Sequence, residues 1–532
     1  MIKQKGTSFI KQAAILGAAS LFVRLIGFLY RIPVTNWLGD EGIGFYTRAY
    51  FIYTFAVVIS SGALPAAVSR LVSERVARDQ YRNAHRLFKT AMGFAMFVGV
   101  VAGLIMGLGA GWMSEFFDMP EAAHAIRVLA PTIFFVAILA VFRGYFQGMK
   151  NAMPTALSQI VEQIFNVVFT VWLVFVFLDA ANLQYSVAGG AAGTGIGAIA
   201  GVIVVVILYV RVAKDLRHRA NSDESHVSTN ETGRQQMAVI LRTALPIVVG
   251  MGVYSAANII DFGMASDRMA ASGAFNEDEI NALVGQFTGK FLLLTTLPVA
   301  LSMALSAAVI PEITTSQVKM DMGAIRRKTN MALRLSMMLS IPAAVGLGVL
   351  ADPIIALLFP AHPGGGWLLM YGAASIIFLA MVQILTGVLQ GIGHVGIPVI
   401  GATIGVLSKI PVNYFLIAIP EINILGAVIS TIVCYMIAAA INLFFLRKIT
   451  GILPDFVGAF VKPLISATGM GVVVFVFYYF SAMIMSNRMA TLVALGAGFI
   501  AYLILLHLIK GFRPEDINAL PLPDKIKQWM RR

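Results

Sequence analysis

Residues 142–154 read FRGYFQGMKNAMP, and residues 385–398 read LTGVLQGIGHVGIP. Gly144, Gln147, Gly148 and Pro154 recur as Gly387, Gln390, Gly391 and Pro398, with one residue inserted before the proline and roughly 240 residues between the copies. A second echo has nearly the same offset. Ala66, Ala67 and Val68 return as Ala307, Ala308 and Val309, each time ahead of a polar, basic stretch. Two features repeating in register imply one structural unit used twice. Duplicated membrane domains of this kind build carriers whose two lobes rock about a shared site.

The surroundings of both copies are apolar. Hydrophobic residues make up 58% of the chain and charged residues 12%, against roughly 45–50% and 25% in a soluble domain. This predicts an all-α polytopic membrane protein. Stretches long enough to cross about 30 Å of hydrocarbon number fourteen. They are 10–34, 45–62, 88–112, 125–142, 154–178, 187–211, 240–264, 284–308, 329–350, 367–390, 397–418, 424–446, 457–485 and 489–510. The echoes fall in spans four to five and ten to eleven, so each copy holds six spans and two more follow the second. The expected organisation is an N-terminal lobe over 1–215 and a cytoplasmic linker over 216–236. A C-terminal lobe over 237–450, helices 13 and 14 over 451–510 and a cytoplasmic tail over 511–532 follow. An even number of spans per copy makes the lobes parallel repeats. The apolar run that follows Lys3, Lys5 and Lys11 continues to about Val34, carries Arg24 and Arg31 and shows no small-residue cleavage site, so it is read as a retained first span and not as a signal peptide.

Loop charge sets the orientation. Arg70, Arg75, Arg78, Arg82, Arg86 and Lys89 follow span two, while Lys319, Arg326, Arg327 and Lys328 follow span eight. Odd-numbered loops carry Asp40 and Glu41, Glu115 and Glu121, or Glu277, Asp278 and Glu279. The positive-inside rule then puts both termini in the cytoplasm, and the net charge of +13 is mostly topology. The basic residues are spread over short loops without interleaved aromatics, so no nucleic-acid partner is expected. The single cysteine, Cys434, rules out an internal disulfide. No phosphate-cradling GxxxxGK[ST] loop occurs and no histidines have metal-ligand spacing, so neither cofactor, metal nor enzymatic activity is expected. Transport energy would come from a coupling cation, the membrane potential or the substrate gradient.

Charges inside apolar spans mark functional candidates, because each costs several kcal/mol unless it meets water or a partner. They are Arg24 and Arg31 in span one, Glu162 in span five, Asp261 in span seven, Lys290 in span eight and Lys409 in span eleven. Arg48 and Arg127 lie close enough to span ends to snorkel. Asn166 follows Glu162, and Asn413 follows Lys409, by four positions, placing each pair on one helical face. The charge pattern is exchanged between the copies. It suggests that a span-one arginine pairs with Glu162, and Asp261 with Lys409, within their own lobes. Arg24 and Lys290 are expected to face one cavity and suit an anionic substrate.

The runs VRLIGFLYRIPV (23–34), SSGALPAAVSRLVSE (60–74), FRGYFQGMKNAMPTALSQIVEQ (142–163) and LPVALSMALSAAVIPEI (297–313) resemble the oligosaccharide-lipid flippase branch of the multidrug/oligosaccharidyl-lipid/polysaccharide exporter superfamily. Within it, the stage V sporulation protein B group and the lipid II flippases of MurJ type look most similar. The resemblance implies fourteen helices, with two six-helix lobes around a cavity and two C-terminal helices able to cradle a lipid tail. It further implies transfer of an undecaprenyl-pyrophosphate-linked sugar, chiefly lipid II for peptidoglycan synthesis, by a monomer in the bacterial plasma membrane. Arg24 matches a basic residue near the pyrophosphate, and Lys290 falls where lipid II flippases often carry arginine. The apolar stretch 56–59, where those flippases carry arginine, and the displaced Arg31 depart from the pattern. A cation-coupled multidrug exporter and a non-transporting scaffold of a cell-wall or spore-envelope complex are the alternatives.

Overall fold

The computed structural model describes residues 9–78, 80–116, 120–178, 183–221 and 232–511. Residues 222–231 of the expected linker and nearly all of the expected C-terminal tail fall outside these residues. Among the described residues the regular structure is helical. We number the principal helices α1 (Phe9–Leu29), α2 (Arg31–Val76), α3 (Tyr81–Leu108), α4 (Pro120–Leu129 and Thr132–Gly148) and α5 (Met153–Val176). α6 (Leu183–Asn221) and α7 (Gly233–Ala271) follow. Then come α8 (Glu277–Val318), α9 (Met322–Val349), α10 (Gly366–Gly372 and Ser375–Gly391), α11 (Gly396–Leu416), α12 (Leu425–Thr450), α13 (Val457–Ala482) and α14 (Asn487–Leu508).

Eleven of these are long and apolar enough to cross a membrane, thirteen when the bent pairs α4 (41°) and α10 (50°) each count as one span. The protein is therefore a multi-pass membrane protein. From the third onward each expected span overlaps one of these helices, while the first straddles α1 and the start of α2 and the second lies within α2. The first is the short case, with a described apolar stretch of only Ile15–Leu29. The fourteen-span expectation is consistent with this count without being reached by length alone.

Local sequence explains the helix limits. Asn276 accepts from the Glu279 backbone N–H at 2.9 Å while the Glu279 carboxylate takes the Asn276 N–H at 2.9 Å, a reciprocal cap that starts α8. Asp321 caps α9 through the Ala324 N–H at 2.8 Å. Gly451, at φ 67°, ends α12 in the left-handed conformation that glycine adopts without strain. Inside α2, Gly39 (φ 70°, ψ −179°) breaks the helix between the first and second expected spans.

The chain divides into two compact units, residues 1–266 and 267–532. In the first, Leu64, Val68 and Val72 of α2 pack with Leu87 and Phe88 of α3, Val141 and Tyr145 of α4, Val205 of α6 and Ile240 of α7. α7 runs along α2. Arg48 donates to Ser266 at 2.9 Å, the Phe51 and Phe262 rings stack at 4.5 Å, and Ala63 and Ala67 meet Ala244. The helix expected to open the second lobe thus contributes to the first unit. In the second unit Val309 and Ile313 of α8 pack with Leu333 of α9, Leu385 and Val388 of α10 and Leu446 of α12.

The two sequence echoes are the two sides of one interface, made once in each unit. A Cβ on Gly148 would meet Val72 Cβ at 2.6 Å and Ser69 O at 2.8 Å, and one on Gly391 would meet Ile313 Cβ at 2.8 Å and Ile310 O at 3.1 Å. Ser73 donates to Gly148 O at 3.1 Å, and Thr314 donates to Gly391 O at 3.0 Å. In hydrocarbon, helices associate through close packing and interhelical hydrogen bonds, since lipid is as apolar as leucine. The paired glycines of α4 and α10 provide that approach.

Candidate functional site

In the first unit, polar side chains converge from α1, α2, α4, α5 and α6. The Arg143 guanidinium on α4 donates to Ser158 Oγ at 3.0 Å through Nε and forms a close ion pair with Glu162 through Nη2. Glu162 was expected to pair with a span-one arginine; the ion pair it makes here is with Arg143 of α4. α4 continues to Gly148, six residues past the expected limit of 142, and carries Arg143 onto the α5 face that holds Glu162. One helical turn further along α5, Asn166 is buried, and the Thr170 hydroxyl lies 2.9 Å from its Oδ1 and 3.0 Å from Gly190 O. α6 can come so close because Gly193 and Gly197 face Thr170, Asn166 and the Glu162 carbonyl.

Arg31 is half-buried and lies within electrostatic reach of the Tyr30, Tyr46 and Tyr50 phenols. Tyr50 in turn shares a 2.7 Å hydrogen bond with Thr194 of α6. Arg24 is exposed on α1. Three residues on, Gly27 abuts Gln163 of α5, which fixes that helix pairing. Arg48, expected to snorkel, is instead 2% exposed, because α7 covers it and supplies Ser266. Asp261 is buried on α7.

The second unit encloses its cations. Lys290 sits in a π-helical turn, Gln286–Phe291, with no exposed surface. Its ammonium donates to His362 O at 2.6 Å and Gly364 O at 2.9 Å and lies 5.7 Å from the Phe359 ring centre. Lys409 on α11 donates to Thr431 of α12 at 3.0 Å, and Asn413 is fully buried beside it. Asp261 lies in the first compact unit and Lys409 in the second. Arg268 stacks over Tyr414 at 4.5 Å. Sequence reasoning missed Arg334, 1% exposed on α9, whose guanidinium lies 3.8 Å from Asp455 ahead of α13. Its signal was available, since it is a cation five residues inside the expected ninth span.

An apolar cavity of about 1000 Å³ lies between α8, α9, α13 and α14. Leu301, Leu339, Met470, Val474 and Phe499 are among its walls, and Tyr502 beside them donates to Met338 O at 2.8 Å. Among the described residues no three His, Cys, Asp or Glu side chains are placed to hold a metal ion.

A duplicated bundle of apolar helices with buried interior charges defines the class of polytopic membrane transporters. Residues 9–317 match the polysaccharide biosynthesis protein family, and the chain belongs to it. It is 26% identical to the uncharacterized membrane protein YabM of Bacillus subtilis over 98% of this chain and 96% of that protein. To the lipid II flippase MurJ of the same organism it is 25% identical, over 84% of each chain. It is 23% identical to the stage V sporulation protein B of Bacillus subtilis over 80% of this chain and 81% of that protein. Its fold matches a solved MurJ in an inward closed conformation at TM-score 0.67 and 16% identity, covering 93% of this chain and 98% of that one. An inward-facing multidrug transporter of the same superfamily matches at 0.66 and 17% identity, covering 81% of this chain and 98% of that one.

Proposed function

We propose that this protein is a flippase that moves an undecaprenyl-pyrophosphate-linked sugar, chiefly lipid II, from the inner to the outer leaflet by alternating access. It would thereby supply peptidoglycan synthesis, cell-wall biogenesis and cell shape in the bacterial plasma membrane, with both termini cytoplasmic. The observation that carries this reading is the apolar cavity between α8–α9 and α13–α14, which offers a polyprenyl chain an interior surface that a headgroup-only carrier does not need. Arg24, exposed on an apolar helix, supports it, because pyrophosphate oxygens match the fork of its guanidinium. Arg31, among the tyrosines, is the second headgroup candidate. Lys290 is retained in that role only as a residue that moves out of its carbonyl cage.

Buried Asp261 favours a second reading, cation-coupled export, in which Glu162, Asn166, Asp261, Lys409 and Asn413 convey the coupling ion or membrane potential. Depleting the protein and identifying the lipid-linked precursor that builds up on the cytoplasmic side separates the readings. Arg24→Ala should then abolish flipping with protein level and membrane insertion intact, and full activity in that variant would remove Arg24 from the mechanism.

A further inference from the structure

In the first unit a cavity of about 410 Å³ lies between the C-terminal half of α2 and the first turns of α7. Ala66 and Arg70 line one side, and Val239, Arg242, Thr243 and Ile247 line the other. Its two charged walls are both arginine. Arg70 gives its Nε hydrogen to Glu74 at 3.0 Å, an exposed pair one helical turn apart, which leaves both terminal nitrogens of its fork available. Among the described residues Arg242 is exposed and has no ion-pair or hydrogen-bond partner.

The two helices are held at fixed separation beside this cavity. Ala63 and Ala67 pack on Ala244 with Ile247 and Val248, and Thr90 of α3 donates to the buried Gln236 at the start of α7 at 2.8 Å. Two guanidinium groups on one cavity repel each other unless an anion lies between them, and a tetrahedral oxyanion accepts from both forks at once. By loop charge this end of α2 faces the cytoplasm, where Arg75, Arg78, Arg82 and Arg86 raise the local positive potential.

We infer that the cavity between α2 and α7 is a phosphate-anion site held by Arg70 and Arg242. The occupant is a phosphate group, free in solution or borne by an anionic lipid headgroup. The inference stands apart from the flippase reading, because its test measures occupancy without transport.

The test uses the full chain in phosphatidylcholine nanodiscs and follows modification of individual arginines by phenylglyoxal, located by peptide mass spectrometry. Inorganic phosphate should slow modification of Arg70 and Arg242 about tenfold, with exposed Arg78 unaffected. Protection by phosphate in phosphatidylcholine assigns the free anion. Protection appearing only when phosphatidylglycerol is in the bilayer assigns a lipid headgroup. Arg242→Gln should raise about tenfold the phosphate or phosphatidylglycerol needed to protect Arg70, with an unchanged melting midpoint, as both side chains are exposed. No protection in either bilayer, equal protection of Arg78, or undiminished protection of Arg70 in Arg242→Gln overturns the site.

Discussion

At the residue scale, an interior charge is defined by its partner. Lys290 and Arg24 look alike in sequence, each a cation near the middle of an apolar span, yet one has no exposed surface and the other is exposed. The difference arises from residues 359–364, which return to cover Lys290 with two carbonyls and a ring. Hydropathy carries no trace of that fold-back. Arg143 was hidden for another reason: apolar character fades before the helix ends, so a boundary drawn at 142 left it in a loop. The Glu162 position was legible and its partner was not. The carbonyl cage gives a prediction. Lys290→Met strips His362 O and Gly364 O of their donor; His362 is half-buried and Gly364 exposed, so water replaces the donor in part and the cost is about 1–3 kcal/mol for the two together. Removing a desolvated charge offsets part of this. The variant should lose about 2 kcal/mol of stability, read as a lower melting midpoint in detergent. Loss of transport at an unchanged midpoint would instead make Lys290 a headgroup ligand.

At the element scale, the repeat was legible because one interface is encoded on both of its sides. Gly144 and Gly148 need α2 against them, and the Ala66–Ala67–Val68 stretch belongs to that partner. Drift in either would open the contact. What the sequence could not show was that the two echoes touch, since residues 66–68 and 144–148 are separated by α3 and most of α4. The contact predicts a contrast between glycines. Gly148→Ala places a methyl 2.6 Å from Val72 Cβ and 2.8 Å from a backbone oxygen, so α2 and α4 must part, at a cost of about 1–3 kcal/mol. Gly93→Ala on α3 meets nothing within 4 Å and should stabilise its helix by roughly 0.5–1 kcal/mol. Opposite shifts of the two melting midpoints are expected. Equal shifts would mean that the α2–α4 approach is not tight.

At the scale of the whole molecule, membrane character and the order of the apolar helices followed from hydropathy, because the bilayer imposes length and apolarity on every crossing helix. The allegiance of α7 did not. It carries apolar side chains that are exposed (Leu241, Leu245, Val249) as well as buried (Ile240, Ala244), and its contacts with α2 come from Ala244, Phe262 and Ser266, which share no sequence pattern that separates a helix neighbour from lipid. The cavity beside α13 and α14 lies between these cases. Its helices were legible as additions to the duplicated unit, while its volume depends on how α9 and α14 diverge. If it receives a polyprenyl chain, its volume must limit chain length and leave headgroup chemistry untouched. Ala304 lines it with an exposed methyl, so Ala304→Trp fills space without overpacking the core. Excluding about two methylenes at ~0.8 kcal/mol each weakens tail binding roughly tenfold. In proteoliposomes, transport of a long-chain undecaprenyl-linked sugar should fall by about that factor, while an analogue with a tail of few isoprene units moves at the parental rate and the melting midpoint stays constant. Equal loss for both substrates would show that the cavity does not hold the tail.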